Sequence, residues 1–85
     1  MSQVRFSTTV RDDGRLGYFS PEAKEAFIID RAGEETMFLE MVKRGHPEVM
    51  PDRITGIGIA FGNMSKTAWS LMVSLAKKCG GEMVE

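Results

Sequence analysis

The sequence predicts a small α+β domain, and three stretches predict it. Residues 4–19 alternate in polarity around an Asp-Gly turn. Residues 65–79 carry an apolar stripe at helical spacing, and residues 53–61, just before them, alternate bulky side chains with glycine and alanine. The expected architecture is an N-terminal β-hairpin, one or two short helices, and a central strand followed by an amphipathic C-terminal helix. A small antiparallel or mixed sheet packs on the helices.

In the first stretch Val4, Phe6, Thr8 and Val10 alternate with Arg5, Ser7, Thr9 and Arg11 before Asp12-Asp13-Gly14-Arg15 interrupts the pattern. Asp-Gly suits a tight turn, and a two-residue loop at 13–14 or a four-residue loop at 12–15 both set Arg11 opposite Leu16. Thr8 then faces Phe19, Val10 faces Gly17, and Val4, Phe6, Val10 and Phe19 form the core face. Arg5, Thr9, Arg11, Leu16 and Tyr18 share the outer one.

Ser20-Pro21-Glu22 has the chemistry of a helix start: serine as cap, proline in the first turn, an acid near the positive dipole end. A helix is expected to run from there to Gly33, weakened by the β-branched pair Ile28-Ile29. Residues 34–44 fit two patterns, since Met37, Phe38, Met41 and Val42 form a helical stripe while Met37, Leu39 and Met41 alternate. Helix is preferred on the propensities of Met, Leu, Glu and Lys, with Gly45 as its stop.

Residues 46–52 are expected to form an exposed loop, and 45–52, with Pro47 and Pro51, is the one linker-like piece. Residues 53–61 then present Ile57, Ile59 and Phe61 on one face and Gly56, Gly58 and Ala60 on the other, a bare face suited to close approach by another layer. Helix 65–79 is capped by Asn63 or Ser65, striped by Met64, Ala68, Leu71, Met72, Leu75 and Cys79, and stopped by Gly80. Residues 82–85 end the chain as a short edge strand or a frayed end.

Composition narrows function by exclusion. The 85 residues read as one domain, 1–85, with 42% apolar side chains, enough for one modest core. Eleven basic and twelve acidic residues nearly cancel, which removes any general drive toward polyanions. A single cysteine, a polar start and the lack of a long apolar run point to a cytoplasmic setting away from membranes. His46 and Cys79 are the only residues of their kinds, too few for a structural zinc site, and a single histidine without positional support makes no catalytic pairing, so no metal, no cofactor and no enzymatic activity are expected.

Glycines between strand and helix, with Lys66-Thr67 behind them, invite comparison with a phosphate loop. The spacing fails, because Asn63 follows Gly62 where such a loop has lysine. Anion binding at Asn63, Ser65 and Lys66 is a minor reading beside close packing and capping.

Two binding readings remain. A hairpin face carrying Arg5, Arg11 and Tyr18 offers two guanidiniums and an aromatic plane to a nucleic acid, although a solvated sheet face has the same composition. Residues 9–16, with Gly14-Arg15, and residues 20–27 after a gap resemble the swapped-hairpin transition-state regulators and antitoxins, in which a Gly-Arg strand runs into a proline-started short helix. The resemblance covers less than a third of the chain, with Pro21 two residues late, and it implies a dimeric DNA regulator.

The preferred reading is a protein-interaction, inhibitor or adaptor module that binds a protein partner or itself as a homodimer. So short a domain buries only about 60–65% of its extended-chain surface. Trp69, Phe38, Leu39 and Val73 then appear surplus to the two main stripes and form the expected contact surface.

Overall fold

The computed structural model describes residues 3–46 and 59–84, with residues 59–62 described by their backbone. In chain order the elements are β1 (Gln3–Val10), β2 (Leu16–Ser20), β3 (Glu25–Ile29), α1 (Arg31–Lys43), β4 (Ile59–Ser65), α2 (Lys66–Lys78) and β5 (Glu82–Val84). The strands form one antiparallel sheet in the order β4-β1-β2-β3-β5. The α+β class with a sheet packed on helices is therefore as the sequence predicts. β4, the strand ahead of the C-terminal helix, stands at one edge beside β1, and residues 53–58 lie outside the described residues. Among the described residues no helix is long and apolar enough to cross a membrane.

The first hairpin forms, but its register differs by one residue from expectation. Val10 pairs with Leu16, Thr9 with Gly17, Thr8 with Tyr18 and Ser7 with Phe19. The cause is the loop. The Arg11 N–H donates to the Arg15 carbonyl at 2.8 Å, the Gly14 N–H donates to the Arg11 carbonyl at 2.9 Å, and Gly14 takes a φ of 85°. This is a turn closed by a left-handed glycine, and its odd loop length shifts every later pair by one. Asp13 favours it by accepting the Arg15 N–H at 3.0 Å. Because side chains alternate, Leu16 and Tyr18 turn into the core and Phe19 turns out, the reverse of the predicted faces.

The second correction concerns the helix expected from Ser20 to Gly33, which does not form: residues 20–30 hold a turn and a strand, and α1 begins only at Arg31. Ser20 does accept the Ala23 N–H through its hydroxyl, at 3.2 Å, as a cap would. The chain then reverses instead: the Lys24 N–H donates to the Ser20 carbonyl at 2.8 Å and Lys24 adopts a left-handed φ of 56°. Glu25–Ile29 returns as β3 against β2, with Phe27 and Ile29 buried inward. The β-branched pair and the inward aromatic, satisfied by long-range pairing, outweigh a local cap motif that serves turns equally well. The proline-started helix of the antitoxin resemblance is thus absent here.

The preference for helix at 34–44 holds, although α1 begins earlier, where Asp30 accepts the Gly33 N–H at 2.7 Å. Gly33 lies inside α1 rather than ending a helix. Gly45, at φ 87°, closes it, with the His46 N–H on the Met41 carbonyl and the Gly45 N–H on the Val42 carbonyl. Helix α2 is capped by Ser65, which accepts the Ala68 N–H, and stopped by Gly80 at φ 90°.

One face of the sheet and both helices share a single core. Val4, Leu16, Tyr18, Phe27, Ile29 and Met64 from the strands meet Met37, Phe38 and Met41 of α1 and Trp69, Met72, Val73 and Leu75 of α2. At its centre Tyr18 stacks on Phe27, ring centres 4.9 Å apart, and Trp69 lies 6.0 Å from both Phe27 and Phe6. Two polar tips of this cluster find carboxylates at the core rim: Trp69 Nε1 donates to Glu25 at 2.7 Å, and the Tyr18 hydroxyl donates to Glu34. Among the described residues no buried side-chain polar atom lacks a partner.

Candidate interaction surface

The other face of the sheet has no described element packed on it. Register arranges it in rows that cross the strands. One row runs Ser7, Phe19, Ala26, Val84, and the next runs Thr9, Gly17, Ile28, Glu82. The backbone of β4 extends both rows, since Phe61 pairs with Ser7 and Ile59 with Thr9. Phe19 is 49% exposed and Val84 43%, while Ala26 and Ile28 are half-buried. A large side chain left half in water on a central strand marks a surface that no described element covers.

The guanidiniums that rim these rows are paired within the chain. At one end Arg5 Nε meets Glu22 at 2.6 Å, and this guanidinium holds the Glu22 carboxyl below the usual carboxylate range. At the hairpin end Arg15 donates to Asp13 from its backbone and from its side chain, which keeps the Asp13 carboxyl low. Arg11 lies 4.0 Å from the same carboxylate. The stem of Arg11 also passes over bare Gly17, where an added Cβ would sit 3.9 Å from Arg11 Cδ and 3.3 Å from Thr9 Oγ1.

The predicted partner-binding residues mostly lie elsewhere. Trp69, Phe38 and Val73 are buried in the core, and of the four only Leu39 is exposed. The surplus inferred from sequence is absorbed because both helices pack on the same sheet face and enlarge one core. Leu39 and Val42 form a smaller apolar spot on α1, beside Glu40 and its ion pairs to Lys43 and Arg44.

The predicted nucleic-acid trio is divided. Arg5 and Arg11 belong to the open side, whereas Tyr18 is 3% exposed on the opposite face, and the register sets Phe19 in the place expected for it. Asn63 pairs with Arg5 and Lys66 opens α2, while the Ser65 hydroxyl is engaged as the helix cap. Sequence reasoning missed Phe19, Ala26, Ile28 and Val84. The available signal was the alternation of Phe27 and Ile29 with Ala26 and Ile28. The chain matches no protein-family model, no curated protein and no solved structure.

Proposed function

We propose that this chain is a non-catalytic protein-interaction module that binds a protein partner or itself through the open face of its sheet. The observation that carries this reading is the apolar strip Phe19, Ala26, Ile28 and Val84 on a sheet whose opposite face packs on both helices. A second reading, binding of single-stranded nucleic acid, gains from Phe19 lying on the same face as Arg5, Thr9 and Arg11. It loses from the engagement of both guanidiniums by Glu22 and Asp13 and from a net charge of -1.

Nile red, an uncharged dye that fluoresces on apolar surfaces, tests the location at sub-micromolar protein. Phe19→Asp should abolish its binding with circular dichroism unchanged, and Leu39→Asp should leave it intact. The opposite pattern would move the site to α1 and overturn the proposal.

A further inference from the structure

We draw no further inference here: the strongest candidate, the apolar strip of Phe19, Ala26, Ile28 and Val84 on the open face of the sheet, belongs to the surface already described, and nothing in the structure shows what covers it.

Discussion

Trp69→Ala should unfold this protein or bring it close to unfolding. Removing a buried tryptophan costs about 3–5 kcal/mol, whereas a domain of this length has roughly 4–13 kcal/mol in total. The indole touches both Phe6 and Phe27 and is 1% exposed, so its loss opens a cavity bordered by the sheet and by α2 itself. The substitution also deprives Glu25 of the indole N–H, its 2.7 Å partner at the core rim. Thermal or urea denaturation followed by circular dichroism should show a transition displaced far downward or absent. Leu39→Ala, at a site 63% exposed, should change stability by no more than about 0.5 kcal/mol. Equal effects of the two substitutions would contradict the core described above.

Gly33→Ala is the second large effect, and here two contributions oppose each other. Alanine is favoured over glycine in a helix by about 1 kcal/mol. A Cβ at Gly33, however, would fall inside contact distance of the Cys79 carbonyl oxygen and lie 3.0 Å from both Asp30 Oδ1 and Ile29 Cγ1. The carbonyl belongs to the cap of α2 and the carboxylate to the cap of α1, so neither can yield without loosening a helix end. Overpacking of this kind costs about 1–3 kcal/mol and often more at backbone, so a net loss of about 2 kcal/mol is expected despite the gain in propensity. Chemical denaturation midpoints would measure it. A more stable Gly33→Ala protein would mean that α1 and the end of α2 are not in contact at this residue.

What could be read from the sequence was local. Helix α2 carries its own instructions in Ser65, the apolar stripe and Gly80, and all act within a few residues of one another. The stop at Gly45 and the helical character of residues 34–44 were legible for the same reason. The register of β1 on β2 was not, because Asp12-Asp13-Gly14 can close loops of odd or even length and one residue inverts both faces. β3 was hidden behind Ser20-Pro21-Glu22, whose cap chemistry initiates turns and helices alike; the decision between them comes from β2, from β5 and from the helices beneath. The same two misreadings displaced the site. With Phe19 placed inward and Ala26 and Ile28 assigned to a helix, the open apolar rows could not be assembled, and Trp69 was left to stand for surface that lies on the other side of the sheet.

The open face exists only if Tyr18 points inward and Phe19 outward, and the chain contains a single tyrosine that reports this directly. Burial raises the Tyr18 phenol above its ordinary value of 10.0, and the nearby Glu34 carboxylate and the hydrogen bond to it raise it further. A folded value above the unfolded one means that this contribution to stability is complete below about pH 10 and is lost as the pH rises beyond it, because the unfolded chain then loses its proton first. Absorbance titration of the phenolate, with circular dichroism recorded on the same samples, is therefore decisive. An inward Tyr18 predicts no phenolate while the fold persists through pH 10.0, and ionisation that coincides with unfolding at higher pH. Reversible ionisation near the ordinary value with the fold intact would place Tyr18 on the solvent side, return Phe19 to the core and remove the surface on which the proposed function depends.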